Sequence, residues 1–180
     1  RLKLYMKPII GIPMGDPSGI GPEIIIKAFQ DGEIFEKCCP VVVGDIATLE
    51  RARNIVEEGV TPENQTKINA VAIPEDGLYK KGYIDVVQCG QPDHDKFVFG
   101  EVCAESGQYA FDCIKKVTEL SLEGKIHAIA TTPINKEAIK AAQVDFIGHT
   151  EMLAGLTNTD DPLTMFQVRN MRVFFLSRHV

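Results

Sequence analysis

Short continuous runs of apolar residues alternate along the chain with longer stretches whose apolar residues recur every three or four positions. The continuous runs predict buried β-strands, and the stretches with the longer period predict amphipathic helices. Strands are predicted at 8–14, 41–43, 68–73, 84–88 and 126–130, and helices at 22–30, 46–58, 100–123, 136–142 and 150–156. This alternation predicts an α/β fold, an α/β/α sandwich whose mostly parallel sheet is covered on both faces.

Two further apolar runs, at 163–168 and 171–176, break this alternation because only a short polar turn separates them. Such a pair predicts an antiparallel ribbon. The chain stops four residues after the second run, and a domain seldom ends just past an uncovered apolar strand. We therefore expect residues 6–180 to be the N-terminal portion of a longer protein, and residues 1–5 to be a tag or an upstream extension.

Composition and charge narrow the class of protein. Hydrophobic residues make up 44% and charged residues 24%, as in globular proteins, and the apolar runs are too short to cross a membrane. The net charge of −6 and the scattered basic residues argue against nucleic-acid binding. Five cysteines form no CxxC pair, and Cys103 and Cys113 fall within a helical pattern where buried free thiols are expected. These features predict a reduced, cytoplasmic protein with neither nucleic-acid nor membrane partners.

Three turns rich in Gly, Ser or Thr, at 15–21, 131–135 and 148–150, lie where such sheets bind ligands, beyond the carboxyl ends of strands. The first turn lacks the spacing of a dinucleotide fingerprint and the Lys of a phosphate loop, so its glycines either face an anion or only permit a tight turn. Asp16 either orients a ligand or hydrogen-bonds its own loop. Lys136 either meets an anionic ligand or is a solvated residue at a helix start.

His149 opens a predicted helix, where the positive end of the helix dipole disfavours the charged imidazolium. A neutral imidazole can donate a hydrogen bond or accept one, and Thr150 adds a hydroxyl that suits a phosphate or a hydroxy acid. His179 follows the last apolar run, but one histidine makes no metal site, because three or more protein ligands are usual. His94 and His127 are interpreted as structural.

Four of these features, taken in order, resemble the 4-hydroxythreonine-4-phosphate dehydrogenase (PdxA) family. They are MGDPSGIGPE at 14–23, TPINKEA at 132–138, GHTE at 148–151 and the histidine at 179. No single motif is decisive, but the four in this order are specific. The resemblance covers nearly the whole chain, from Lys7 onward.

The resemblance implies an isocitrate/isopropylmalate dehydrogenase-like fold and a homodimer. It implies oxidation and decarboxylation of 4-phosphohydroxy-L-threonine to 3-amino-2-oxopropyl phosphate, in pyridoxine and pyridoxal phosphate biosynthesis. NAD or NADP would accept the hydride, and a divalent ion (Zn, Mg or Co) would bind the substrate hydroxyl. His149 and Thr150 match the family's substrate-binding pair, and His179 matches the first of three metal-binding histidines. The other two, with most cofactor contacts, lie in the family's second half.

One position departs from the pattern: Ser177-Arg178-His179 stands where pyridoxine-pathway members more often carry Thr-Thr-His. Arg178 either changes acid recognition or points outward. Paralogues oxidise D-threonate or D-erythronate 4-phosphate, or cyclic cis-dihydrodiols, and these remain alternative substrates. A non-catalytic anion-binding module on the same scaffold is the alternative of another class. The isolated 180-residue chain is expected to be inactive.

Overall fold

A five-stranded parallel sheet forms the centre of the computed structural model, which describes residues 7–146 and 148–175. The strands run in the order β3-β4-β2-β1-β5, and every neighbouring pair is parallel. Their bounds are β1 Ile9–Pro13, β2 Cys39–Gly44, β3 Lys67–Val71, β4 Tyr83–Gln88 and β5 Ala128–Ile129. The predicted α/β class with a mostly parallel sheet is confirmed.

The helices follow the predicted order, with one short addition. Their bounds are α1 Gly21–Gln30, α2 Ile34–Lys37, α3 Ile46–Val56, α4 Ala104–Leu122, α5 Lys136–Ala141 and α6 His149–Leu156, with 3-10 turns at Pro74–Asp76 and His94–Lys96. The single turn α2 was not predicted. The side chain of Asp45 caps α3 by accepting from the Thr48 N–H, and Asn135 caps α5 in the same way.

The start of α4 corrects two expectations. The helix begins at Ala104 rather than near residue 100, because Gly100 has a left-handed φ of +77° and cannot continue a right-handed helix. Cys103 is therefore not a buried thiol inside the helix. It is half-buried at the cap, where its sulfur accepts from the Ser106 N–H at 3.3 Å, whereas Cys113 is fully buried as expected.

The main core lies against both faces of the sheet. Successive side chains of a strand point to opposite faces, and Val41, Val42 and Val43 of β2 are all 0% exposed. Helices therefore cover both faces of this central strand. A second, smaller core joins α4, α5 and α6 through Ala110, Ile114, Ile139 and Met152.

Close backbone contact between α4 and α5 fixes the second core. A Cβ on Gly107 of α4 would overlap the Ala138 carbonyl group of α5, so this crossing requires the glycine. None of the helices in residues 7–146 and 148–175 is both long and apolar enough to span a membrane.

The last described element is an antiparallel ribbon of β6 (Met165–Val168) and β7 (Met171–Phe174), as predicted. Every residue of both strands is exposed. The ribbon follows α6 and forms a sheet of its own, separate from the five-stranded sheet. The predicted metal ligand His179 lies outside the described residues.

Candidate functional site

The candidate site lies where the chain changes direction across the sheet. After β1 the chain adds β2, β3 and β4 on one side, and then crosses to add β5 on the other side of β1. The loops that follow β1 and β5, residues 14–20 and 130–135, therefore meet at the carboxyl edge of the sheet. We call them the loop pair. Parallel α/β sheets bind ligands at such a switch in strand order.

Hydrogen bonds join the two loops directly. The buried Thr132 donates from Oγ1 to the Pro13 carbonyl at 2.6 Å, and the Asp16 N–H donates to the Pro133 carbonyl at 3.3 Å. Both bonds join residues more than 100 positions apart in the sequence. They fix the position of the loop 130–135 relative to the end of β1.

Gly15 allows this close approach. Its φ is +78°, and a Cβ would overlap the Pro133 carbonyl oxygen and lie 2.5 Å from Thr132 Oγ1. Gly21 is similar in part, because a Cβ there would lie 2.5 Å from the Met14 carbonyl oxygen. Of the two interpretations of this glycine-rich turn, the geometry supports tight packing rather than an anion loop.

Asp16 also has an internal role. It is 4% exposed, its Oδ1 accepts from the Ser18 N–H at 2.8 Å, and burial raises the pKa of its carboxyl group above the ordinary value. The carboxylate therefore organises its own loop, which is the second of the two roles considered for it.

A cavity of about 450 Å³ opens beside the second loop, between it and the start of α6. It is lined by Pro133, Ile134, Lys136, Gly148, His149, Thr150 and Glu151. The structure thus brings the second and third predicted turns together, with His149, Thr150 and Lys136 around one space. Its volume is in the range that holds a small organic ligand.

His149 is the first residue of α6 and is half-buried. Burial lowers the pKa of its imidazole, and a hydrogen bond with the Thr132 backbone opposes this shift. The ring is therefore neutral near pH 7, as predicted, although burial is the main cause here. Its Nε2 atom is buried and has no hydrogen-bond partner among residues 7–146 and 148–175. A buried polar atom without a partner costs about 1–3 kcal/mol, and a ligand could remove that cost.

Lys136 brings a positive charge to the same space. It is exposed, it lines the cavity, and within the described ranges no carboxylate lies within ion-pair distance of its Nζ. The backbone of Asn135 just before it is held by the cap of α5. An anionic group in the cavity would therefore meet this cation, and it would also meet the carboxylate of Glu151, which lines the same space.

The two histidines interpreted as structural have structural contacts. His127 Nδ1 accepts from the Ile9 N–H at 3.0 Å, beside the sheet edge. His94 Nε2 lies 2.8 Å from Oδ2 of the buried Asp45. Burial alone would raise the pKa of Asp45, but hydrogen bonds from Gln88, Thr48 and His94 hold it below the ordinary value.

Within residues 7–146 and 148–175, no group of three His, Cys, Asp or Glu side chains could hold a metal ion. The histidine expected to bind metal, at position 179, is not among these residues. Thr132 lies in the turn at 131–135 that the sequence singled out. The sequence could not show that its hydroxyl bonds the Pro13 carbonyl at the end of β1.

Comparison with known proteins decides the family. The model of the family described as pyridoxal phosphate biosynthetic protein PdxA matches residues 36–180. The chain belongs to the PdxA family. This match confirms the family resemblance that the four motifs indicated.

Individual relatives agree with this assignment. Proteins of Clostridium botulinum and Fusobacterium nucleatum, provisionally named D-threonate 4-phosphate dehydrogenase, are each 47% identical to this chain over 174 and 175 residues. These matches cover 97% of this chain and 50% and 51% of the relatives. A crystal structure of a 4-hydroxythreonine-4-phosphate dehydrogenase from Burkholderia phymatum is 38% identical, with a TM-score of 0.85, covering 94% of this chain and 49% of that one.

The chain spans about half the length of the PdxA relatives it matches. The residues that the structure describes include the parallel sheet, the loop pair and the cavity.

Proposed function

We propose that the protein is a PdxA-type dehydrogenase that oxidises the 3-hydroxyl group of a 4-phosphorylated hydroxy acid, with loss of carbon dioxide. The observation that carries this proposal is the cavity at the switch in strand order, which brings together a neutral His149, the hydroxyl of Thr150 and the cation of Lys136. A phosphorylated hydroxy acid offers a matching group to each of them.

Each residue has a role that follows from its chemistry. Lys136 attracts the phosphate or the carboxylate of the substrate, and Thr150 offers a hydrogen bond beside the first turn of α6. His149, as a neutral imidazole, bonds a substrate hydroxyl without adding a charge to the cavity. Holding the acid in one orientation matters because a misplacement of about 1 Å can cost about 100-fold in rate.

A divalent ion (Zn, Mg or Co), when bound, would lower the pKa of the substrate hydroxyl and polarise the resulting ketone, while NAD or NADP would take the hydride. His179 is the proposed protein ligand on this chain, outside the described residues. The donor set within the described residues does not by itself suit a metal, and no residue there is assigned to the nicotinamide cofactor.

D-threonate 4-phosphate is the favoured substrate. Relatives named for that acid are 47% identical to the chain, whereas the solved 4-hydroxythreonine-4-phosphate dehydrogenase from Burkholderia phymatum is 38% identical. The second candidate is therefore 4-phosphohydroxy-L-threonine, which carries an amino group at carbon 2 where the threonate carries a hydroxyl. Both acids carry the carboxylate, the 3-hydroxyl and the phosphate that the cavity is proposed to hold.

The test is NAD(P)H formation by the full-length natural protein, with each acid, each nucleotide and each of the three metals. We expect turnover with D-threonate 4-phosphate, and less with 4-phosphohydroxy-L-threonine. Absence of turnover on both acids under all these conditions would refute the dehydrogenase, and binding without turnover would favour a non-catalytic anion-binding module.

Substitution then tests the cavity itself. Changing His149 to Ala should lower kcat/KM by about 100-fold or more, because the reacting hydroxyl is no longer held. His127→Ala is the matched control, since that imidazole bonds the backbone of Ile9 rather than lining the cavity. An equal loss in both variants would mean that His149 acts on the fold and not on the substrate.

We also propose that the full-length protein is a cytoplasmic homodimer, as the family resemblance implies. The isolated 180-residue chain is proposed to be inactive. Robust NAD(P)H formation by this chain alone would contradict the second statement.

A further inference from the structure

A second cavity lies beside Arg51 of α3, and the proposed function does not use it. Its volume is about 310 Å³, and its lining residues are Ala47, Thr48, Arg51, His94 and Phe97. Among the described residues, it shares no lining residue with the cavity at His149. It is therefore a separate space, and its chemistry centres on the half-buried guanidinium group of Arg51.

Three contacts hold this guanidinium group in one place. Nη1 donates to the Phe97 carbonyl at 3.0 Å, and Nη2 donates to the Pro17 carbonyl at 3.5 Å. The ring of Phe99 lies against the group, with 3.7 Å between the Arg51 Cζ atom and the ring centroid. Because the cation is positioned before a ligand arrives, little side-chain freedom is lost on binding.

These contacts leave part of the guanidinium group unused. Each Nη atom carries two N–H groups, and hydrogen bonds to the described residues account for one on each. The buried Nε atom has no hydrogen-bond partner among residues 7–146 and 148–175. In the same ranges, no carboxylate lies within ion-pair distance of Arg51. An anion in the cavity would therefore find a fixed cation with a free N–H on each Nη atom.

The carboxylate of Asp45 limits the charge that such an anion can carry. Burial lowers the pKa of Arg51, and the nearby Asp45 charge opposes this shift. Asp45 is 2% exposed and does not line the cavity, and it accepts hydrogen bonds from Thr48, Gln88 and His94. A ligand at Arg51 would meet one cation and, nearby, one buried negative charge. This balance favours a singly charged carboxylate over a doubly charged phosphate.

The remaining walls suit an apolar body attached to the carboxylate. Ala47 and Phe97 are apolar, and the Thr48 hydroxyl already donates to Asp45 at 2.8 Å. The rings of His94 and Phe97 meet edge to face, with centroids 6.4 Å apart and an interplanar angle of 82°. A flat ring can pack beside such a pair, whereas a small inorganic anion would leave these walls uncovered.

We propose that the cavity at Arg51 is a second binding site, for a small carboxylic acid with a flat apolar body. The carboxylate accepts hydrogen bonds from the Nη atoms of Arg51, and the body packs on Ala47, Phe97 and the ring of His94. This inference does not depend on the proposed dehydrogenase function, because none of the residues that carry it lines the cavity at His149.

The test is a titration of the full-length natural protein with benzoate, followed through the nitrogen-15 signal of the Arg51 Nε–H group. Arg51→Lys identifies this signal by its disappearance. Benzoate should move the signal along a saturable curve, with a Kd of about 1 mM for a ligand of this size. An unmoved signal would overturn the proposal.

Two further probes test the charge of the ligand. Benzamide has the same shape as benzoate and no charge, and it should leave the Arg51 signal unmoved. Phenyl phosphate keeps the ring but carries a doubly charged group near neutral pH, and it should bind more weakly than benzoate. An equal shift with benzamide, or tighter binding of phenyl phosphate, would overturn the proposed recognition of a carboxylate.

Variants that keep Arg51 test the location. Ala47 is exposed on α3, so Ala47→Trp fills the cavity from its rim, and benzoate should no longer move the Arg51 signal. Arg53→Met is the matched control. Arg53 lies on the same helix and donates to a backbone carbonyl, that of Thr66 at 3.4 Å, but it does not line the cavity. Its loss should leave the Kd for benzoate unchanged, and an undiminished response in Ala47→Trp would refute the location.

His149→Ala separates this site from the cavity proposed for the substrate. Benzoate should bind this variant with an unchanged Kd, whatever happens to the dehydrogenase activity. Loss of the benzoate response in His149→Ala would place the acid in the substrate cavity and overturn the proposal.

Discussion

The loop pair and the β6–β7 ribbon contrast sharply in how their conformations are held. In the loop pair, Thr132 is 6% exposed and makes a hydrogen bond across the sheet edge, and Gly15 has no room for a side chain. In the ribbon, both strands are exposed throughout, and the pairing of β6 with β7 is local. Contacts distant in sequence therefore hold the first region, and short-range pairing holds the second.

This difference predicts that substitutions in the loop pair lower the stability of the whole protein more than substitutions in the ribbon do. A change in the loop pair disturbs groups that several elements share, whereas a change in the ribbon disturbs neighbours in the same hairpin. Regions that hold few buried contacts open locally at low free energy, without unfolding the rest. The candidate site lies beside the loop pair, the region held by contacts between distant parts of the sequence. Such rigidity is expected for a site that must hold a ligand in one orientation.

The largest expected effect is at Gly15. Changing it to Ala should lower the free energy of unfolding by about 4 kcal/mol, because a left-handed φ and an overlap with Thr132 and Pro133 both oppose the new Cβ. Gly59→Ala is the control, since Gly59 has a similar φ of +82° and, apart from its chain neighbours, no described residue has an atom within 4 Å of the added Cβ. This substitution should cost about 1 kcal/mol. Urea unfolding measures both, and equal losses would show that backbone strain alone is at work.

Substituting one methionine in the packed body and one in the ribbon compares the stability that each region contributes. Met152 of α6 is 0% exposed and Met171 of β7 is 59% exposed. Met152→Ala should cost about 3 kcal/mol through lost burial and a cavity, and Met171→Ala less than about 0.5 kcal/mol. The measurement is again urea unfolding of each variant. A large loss in Met171→Ala would mean that the ribbon is packed against something in solution, and would break the contrast.

Sequence patterns were enough for the elements of both regions. The β-branched run 41–43 predicted the central strand because its residues suit a position buried on both faces. The helices predicted to begin after positions 45 and 135 do begin there, because the caps, Asp45 and Asn135, act only on the first turn that follows them. The ribbon was predicted as well as the sheet, since two apolar runs joined by a short polar turn are a local signal.

The same patterns could not give the contacts that make the site. The bond from Thr132 to Pro13 joins residues 119 positions apart, and nothing near either one encodes it. The glycines around Gly15 suited an anion loop and a tight turn equally well, because only the structure shows how much space a Cβ would have. The structure places His149 and Thr150 with Lys136 around one cavity, which the sequence did not predict, and the role of His149 and Thr150 in binding substrate stays a prediction.

The smallest expected effect compares two residues that occupy the left-handed region without being glycine. Gln143, after α5, has a φ of 58°, and Arg169, in the ribbon turn, has a φ of 52°. Replacing either with Gly removes backbone strain, partly offset by the greater freedom of glycine in the unfolded chain. Gln143→Gly should raise the free energy of unfolding by about 0.5 kcal/mol, because the end of α5 unfolds with the body of the protein. Arg169→Gly should leave it unchanged, because the ribbon opens on its own, and only the hydrogen exchange of its amides should slow. A matching gain in both variants, measured by urea unfolding, would show that the ribbon unfolds together with the sheet.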